Sequence, residues 1–310
     1  MKKLTIVIPT FNEEENIPLV YQAVTDVLKG FESTYDTSIM FIDNDSQDAT
    51  RALIMALAQK DKHVKAIFNA MNFGFVKSTF YGLTQAPGDA IVLMAADLQD
   101  PPSMIPAMVE KYEQGSKVVT CIVQKSKENK VMFIIRKLYY KIIHRISDIE
   151  QIEHFNGFGL YSREFIDVIK EIKDPLPYLR GMVAELGFKR STLYYTQAKR
   201  LKGITHFNFF KLYDLAMLGI TSYSKVLLRL STMLGFILAF ISFLIGIYTI
   251  VQKLLNWDSF PLGSAATVVG IFGLGSIQLF FIGLLGEYIL NMNQRLLNRP
   301  LVVEEKRINF

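Results

Sequence analysis

The chain reads as an α/β protein, a doubly wound and mostly parallel sheet, that carries a two-helix membrane hairpin towards its carboxy terminus. Three observations predict this. Short apolar runs alternate with helix-period segments through residues 1–125, polar clusters follow directly on several of those runs, and two long charge-free stretches lie beyond residue 229. The composition agrees: 310 residues, half of them hydrophobic and 20% charged, are incompatible with a disordered chain. A lone Cys121 excludes a disulfide framework and a Cys-rich zinc site, and four scattered histidines do not replace one. A net charge of +5 is too small to argue for nucleic acid.

The elements follow in order. Residues 4–8 form a strand and 13–28 a helix; 39–42 form a second strand, and Ser46 or Asp48 caps the helix that runs to Gln59. Residues 64–68, 90–94 and 118–123 are further strands, separated by helices near 76–84 and 103–114. In such a sheet ligands bind beyond the carboxyl ends of the strands. The polar clusters 9–15, 43–48 and 97–100 fall there, which makes them a site. Neither a G-x-G-x-x-G fingerprint nor a G-x-x-x-x-G-K-[ST] loop follows any strand, which excludes a dinucleotide dehydrogenase or a P-loop ATPase. Asp43, Asp45 and Gln47 imitate the opening of an EF-hand loop, but Asp48 replaces its glycine and Ile54 its closing glutamate.

Residues 230–252 contain no charge in 23 positions, and residues 261–286 none in 26. At ~1.5 Å per helical residue either stretch spans a ~30 Å hydrocarbon layer. Lys189–Arg229 holds eight basic residues and one acid, and the tail adds Arg295, Arg299, Lys306 and Arg307, whereas the loop at 253–260 has one lysine. This asymmetry puts both termini in the cytoplasm. Glycines along both spans favour close helix contact and a homo-oligomer. Two amphipathic segments flank the anchor. Residues 208–225 are expected to lie in the membrane surface, and 130–147 form either an interfacial or an ordinary core helix. The opening Met1-Lys2-Lys3 leads into only a short apolar run, so no cleavable signal is expected.

The motifs IVIPTFNEEENI (6–17), IDNDSQDAT (42–50), NFGFVKSTFYGL (72–83), GDAIVLMAADLQDPP (88–102), YLRGMVAELGF (178–188) and KRLKG (199–203), followed by two spans, resemble family 2 glycosyltransferases. Within that family the chain is similar to the polyprenyl-phosphate group, which includes bactoprenol glucosyltransferases and dolichyl-phosphate mannose synthases. The resemblance covers essentially the whole chain, and ADLQDPP and VIPTFNEEENI are its most specific parts. It implies a GT-A fold and inverting transfer of a sugar, glucose by family weight, from a nucleotide sugar (a UDP-sugar) to a polyprenyl phosphate such as undecaprenyl phosphate, with Mg2+ or Mn2+. It divides the chain into a nucleotide-sugar-binding core (1–128), an acceptor-side region (129–226), a transmembrane hairpin (227–290, spans about 230–252 and 263–287) and a cytoplasmic tail (291–310). The implied setting is a bacterial plasma membrane with the catalytic domain on its cytoplasmic face, and a flippase and a downstream glycosyltransferase as partners.

Residue by residue, the resemblance places Pro9, Phe11 and Glu13 at the base and ribose, Asp43 with Asn44 at the nucleotide, and Asp97 with Gln99 at the metal. Arg136, Arg180, Arg200, Lys202 and the Thr205 hydroxyl are the candidates for the lipid phosphate, because arginine offers a fork and lysine a point charge to phosphate oxygens. Three positions depart from the family pattern. The usual DxD reads Ala95-Ala96-Asp97, the double Asp reads Asp43-Asn44, and an Asp-Phe-Arg triplet reads Gly157-Phe158-Gly159. A substitute acid would be Glu153, His154 or Asp100. A phosphate acceptor is already ionised and needs little general-base help. The rival readings are a non-catalytic nucleotide-sugar-binding scaffold, and a processive polysaccharide synthase, for which a QxxRW motif and further spans are missing.

Overall fold

A computed structural model describes residues 1–125, 152–198, 264–297 and 299–310, with isolated positions between 217 and 255. Its centre is an eight-stranded sheet in the order β7-β5-β6-β4-β1-β2-β3-β8. The strands are β1 (Lys2–Thr10), β2 (Tyr35–Asp43), β3 (Val64–Asn69), β4 (Ala90–Leu93), β5 (Val118–Lys125), β6 (Phe155–Ser162), β7 (Arg190–Thr196) and β8 (Glu304–Ile308). The adjacent strands β4, β1, β2 and β3 are mutually parallel, and β6 and β8 run antiparallel to their neighbours. The expected mostly parallel α/β sheet is therefore present, extended by β6 and β7 from beyond residue 128 and by β8 from the tail.

The helices are α1 (Ile17–Leu28), α2 (Thr50–Lys60), α3 (Phe75–Gln85), α4 (Ile105–Glu113), α5 (Arg163–Ile172), α6 (Leu179–Glu185) and α7 (Ser264–Leu296). Alternation along β1 explains why there are two cores. Leu4, Ile6 and Ile8 face Ile17, Val20 and Val24 of α1, Ile54 of α2 and Met108 of α4, while Val7 faces Phe80 and Leu83 of α3 and Phe165 and Ile169 of α5. Each of these fully buried side chains contributes roughly 1.5–3 kcal/mol of transfer free energy. Both faces of the sheet are thus covered, as a parallel sheet requires.

Helix starts differ from the sequence expectation for local reasons. Residues 13–16 form a turn in which the Glu13 carbonyl accepts from the amides of Asn16 (2.8 Å) and Ile17 (3.0 Å), and α1 begins only at Ile17, with a proline in its first turn where the missing N–H costs nothing. At α2 it is Asp48 that accepts from the Thr50 amide (3.0 Å), and Ser46 turns back to Asp43. A 3-10 turn (Pro102–Met104) precedes α4.

The expected first membrane span, 230–252, and the segments 130–147 and 208–225 fall wholly or mostly outside the described residues. The second span falls on α7, whose Ile271, Leu279, Phe280 and Leu296 side chains are exposed. Among the described residues no helix is long and apolar enough to cross a membrane.

Candidate active site

β1 pairs with β2 on one side and with β4 on the other, so chain progression reverses between β1 and β4. A doubly wound sheet opens a ligand crevice at this reversal, at the carboxyl ends of its strands. Register brings Thr10 opposite Asp43 and Val7 opposite Leu93. The segments 9–15, 43–48 and 94–100 therefore share one edge. β6 is antiparallel to β4, with Leu93 opposite Gly159, and so delivers 154–157 to the same edge.

The first two loops are laced together by side chains bonding to the backbone. Asn12 N donates to Ser46 Oγ (2.9 Å), Gln47 N to Asn12 Oδ1 (2.8 Å), Glu13 N to Thr50 Oγ1 (2.8 Å) and Ala49 N to Glu14 Oε2 (2.8 Å). Asn12 and Asp45 adopt left-handed backbone at φ 54° and 64°, which short polar side chains tolerate. The lacing fixes Pro9, Phe11 and Glu13 relative to Asp43. Glu13 Oε2 itself accepts from Asn16 Nδ2 at 2.5 Å.

Asp43 is fully buried at the end of β2, and accepts from Ser46 Oγ (2.5 Å) and Ser46 N (3.2 Å), with Arg51 Nε 3.7 Å away. Burial pushes its carboxyl above the ordinary range; the two Ser46 bonds and the Arg51 charge oppose that shift. Its neighbour Asn44 is a hub. Asn44 Nδ2 donates to Asn72 Oδ1 (2.8 Å), while Asn44 Oδ1 accepts from Asn69 Nδ2 (3.0 Å) and Phe73 N (3.0 Å). An aspartate could not supply the first of these bonds. The departure from the double Asp thus ties the loop after β3 to the end of β2.

After β4 the chain turns sharply. Leu98 has φ 57°, which is uncommon for a bulky residue and costs roughly 1–2 kcal/mol. The turn lets Asp97 Oδ1 accept from Gln99 N (3.1 Å) and leaves Asp97 only 6% exposed. The Gln99 side chain reaches towards the Ala198 carbonyl at 3.5 Å. Asp100 faces the other way. Its carboxylate accepts from Ala95 N (3.1 Å), Asn156 Nδ2 (3.0 Å) and Tyr195 Oη (2.7 Å), so it closes the loop onto β6 and β7. Burial pushes both Asp100 and Tyr195 up.

Glu153 and His154 lie in the turn before β6, Glu153 exposed and His154 half-buried with φ 57°. Gly157 has φ 104°, and a Cβ at Gly159 would sit well inside contact distance of the Val119 carbonyl oxygen. Close approach of β5 to β6 thus leaves no room for an arginine at Gly159 on this backbone. Arg180, half-buried in the first turn of α6, makes no ion pair among the described residues. Arg136, Arg200, Lys202 and Thr205 lie outside the described residues.

Among the described residues no group of three His, Cys, Asp or Glu side chains could hold a metal by itself. The donor set fits a narrower kind of site. Asp97 brings one carboxylate to the strand end, and Mg2+ is typically held by one or two carboxylates, with substrate phosphates and water completing its shell. Asp100, saturated by internal donors, is not available for it.

Sequence reasoning did not single out Asn12, Asn72, Asn156 and Tyr195, and it took Ser46 only as a possible helix cap; together these residues hold the edge. Only the short polar residues following strand ends hinted at them.

Residues 5–169 match the family model described as Glycosyl transferase family 2. The SfII prophage-derived bactoprenol glucosyl transferase of Shigella flexneri is 35% identical over 305 residues, covering 98% of this chain and 98% of that one. A prophage bactoprenol glucosyl transferase homolog of Escherichia coli (strain K12) is 36% identical over 290 residues, 93% of each chain. Among solved structures, a mannosyltransferase from Pyrobaculum calidifontis in complex with GDP-Man and Mn2+ is similar at a TM-score of 0.47 and 14% identity, over 71% of this chain and 62% of that chain. With the family model covering more than half of the chain and such relatives matching almost all of it, the chain belongs to glycosyl transferase family 2 and is a glycosyltransferase.

Proposed function

We propose that this glycosyltransferase moves a sugar, glucose first among the candidates, from a UDP-sugar to a polyprenyl phosphate at the cytoplasmic surface of a bacterial plasma membrane. The observation that carries the reading is the convergence of Asp43 and the Asp97 loop on the strand ends flanking the chain reversal, in a chain whose relatives are bactoprenol glucosyl transferases over nearly their full length. Anchoring by a hairpin at about 230–252 and 263–287 is supported by the two charge-free stretches and by the exposed apolar side chains of α7.

In this reading Pro9, Phe11, Glu13 and Asp43 receive the nucleotide, with the Asp43 carboxylate accepting from a base N–H. Asn44 holds the 69–74 loop beside it. Asp97, with Gln99, would hold a divalent cation, which when bound neutralises the charge of the departing diphosphate. Asp100, Asn156 and Tyr195 fix the loop that presents Asp97.

The acceptor's ionised phosphate oxygen forms a bond to the anomeric carbon as the carbon–oxygen bond to the nucleoside diphosphate breaks, on the opposite face, which inverts the centre. No proton has to leave the attacking atom. That is why Gly157 and Gly159 are compatible with turnover, and why neither Glu153 nor His154 is required as a base. Arg180, together with Arg136, Arg200, Lys202 and Thr205, is assigned to the lipid phosphate.

The test is direct. The full-length protein in detergent is given UDP-glucose, undecaprenyl phosphate and Mg2+ or Mn2+, and the monophosphate-linked glycolipid is measured. Asp97→Ala is expected to lower kcat at least about 100-fold, on the scale of losing one charge-stabilising group, with membrane insertion unchanged. Full turnover by that variant would remove Asp97 from the site. Failure of the wild type with every UDP- and GDP-sugar would favour a scaffold.

A further inference from the structure

The carboxy-terminal strand carries a charge back to the nucleotide side of the site. β8 pairs antiparallel with β3 along the sheet edge, with Ile67 opposite Arg307 and Phe68 opposite Lys306. Its end is pinned by Asn309 Nδ2, which donates to the carbonyl oxygens of Ala58 (2.7 Å) and Val64 (2.8 Å). Tyr81 Oη donates to Glu304 at 2.9 Å from the other side. With the register fixed at both ends, Glu305 is held over the start of α2, where Arg51 Nη2 donates to its carboxylate at 2.5 Å.

Arg51 occupies an electrostatically awkward place. It lies in the first turn of α2, at the positive end of the helix dipole, where a cation is disfavoured. Three carboxylates compensate, but they are not equivalent. Only Glu305 is at hydrogen-bond distance. Arg51 Nε is 3.7 Å from Asp43 Oδ2 and Nη1 is 3.6 Å from Asp45 Oδ1, both too long for a hydrogen bond. The guanidinium carbon also lies 5.2 Å above the Phe68 ring, which fixes its plane. Glu305 thus decides where the guanidinium stops. Without it, the carboxylates left to the Arg51 fork are Asp45 at 3.6 Å and Asp43 at 3.7 Å, so the fork can close in part on Asp43, the buried carboxylate at the end of β2.

We propose that Glu305, carried on the carboxy-terminal strand, is a positioning residue for the donor site: it holds Arg51 beside Asp43 but out of hydrogen-bond contact, so that the Asp43 carboxylate keeps its accepting capacity for a nucleobase N–H. The inference rests on the reading of Asp43 as a nucleotide contact. It assigns the tail a task in substrate binding, and it joins the chain beyond α7 to the nucleotide side of the crevice. A uracil or guanine ring, each with an imide-type N–H, is the chemistry such a carboxylate selects.

The experiment measures UDP binding by calorimetry and steady-state kinetics with UDP-glucose, on the full-length protein in detergent. Glu305→Ala is expected to raise the UDP Kd and the donor KM about two- to fivefold, the scale of one partly exposed ion pair, with kcat within twofold and the melting temperature unchanged. Glu305→Gln keeps an acceptor for Arg51 and is expected to recover most of the loss. Arg51→Ala removes the competing guanidinium, so the loss caused by Glu305→Ala is expected to disappear in the Arg51→Ala background, because Glu305 acts through Arg51. An unchanged UDP Kd in Glu305→Ala, a Gln variant as impaired as Ala, or additive losses in the double variant would each overturn the assignment. Asp43→Ala, which leaves no acceptor at that position, separates the two levels. If that variant binds UDP like the wild type, the donor reading itself fails; if it loses UDP while Glu305→Ala does not, only the role of Glu305 falls.

Discussion

Replacing Asn44 with aspartate would restore the acidic pair common in the family, and the structure says that it should harm this protein. Asn44 Nδ2 donates to Asn72 Oδ1 at 2.8 Å, and Asn72 cannot flip its amide to compensate, because the same oxygen accepts from Gly74 N at 2.9 Å. An aspartate oxygen in place of Nδ2 loses a bond worth roughly 0.5–1.5 kcal/mol and leaves two acceptors facing each other, a further ~1–3 kcal/mol. It also buries a second carboxylate next to Asp43. The donors Asn69 Nδ2 and Phe73 N would bond more strongly to a charged oxygen, which offsets part of this, so a net loss of about 2 kcal/mol is expected. On the usual size scaling that lowers the melting temperature by roughly 4–8 °C.

The deficit carries a pH signature. Burial and the Asp43 charge raise the folded-state pKa of the new carboxyl above its unfolded value. The penalty is therefore complete at pH 8 and fades on acidification, vanishing below the unfolded value of about 3.9, where the protonated acid can donate to Asn72. The assay is differential scanning fluorimetry of wild type and Asn44→Asp between pH 5 and 8. A variant as stable as the wild type at pH 8, or one whose deficit grows on acidification, would refute the account of Asn44 as a required donor.

Two further outcomes are expected. Gly159→Ala would drive a Cβ into the Val119 carbonyl oxygen, an overpacking of about 1–3 kcal/mol visible as a melting point several degrees lower; unchanged melting would show that β5 and β6 separate freely there. Donor KM should rise on acidification at a pH above the ordinary carboxylate range near 4, because burial raises the Asp43 carboxyl and its ionised form is the one that accepts. A donor KM that stays flat until the ordinary range is reached would remove Asp43 from the donor site.

Much of this was legible in the chain itself. Apolar runs of strand length separated by helix-period segments announced β1 to β5 and the parallel centre of the sheet, because alternation and spacing are local properties that burial on both faces imposes on any such strand. The motif order pointed to the family, and polar clusters after strands pointed to the edge where Asp43 and Asp97 sit. The helix starts were less legible, since the choice between Ser46 and Asp48 depended on what else each could bond. Ser46 faces Asp43 and the Asn12 amide, and the N-cap position falls on Ala49, with Asp48 just before it accepting from the Thr50 amide.

What only the tertiary structure decided are the pairings between distant segments. Asp100, a candidate site acid in the sequence, meets Tyr195 and Asn156, 95 and 56 residues away, through its Oδ1. Asn44 looked like a lost carboxylate until Asn69, Asn72 and Phe73 gathered around its amide. Nothing in the tail's own sequence showed that β8 closes the sheet edge and sets Glu305 against Arg51, 254 positions earlier. The physical reason is the same in each case. A side chain's type records what it can donate or accept, but which partner it meets is set by strand order and register, and those follow from packing the whole sheet rather than from any neighbourhood of the sequence.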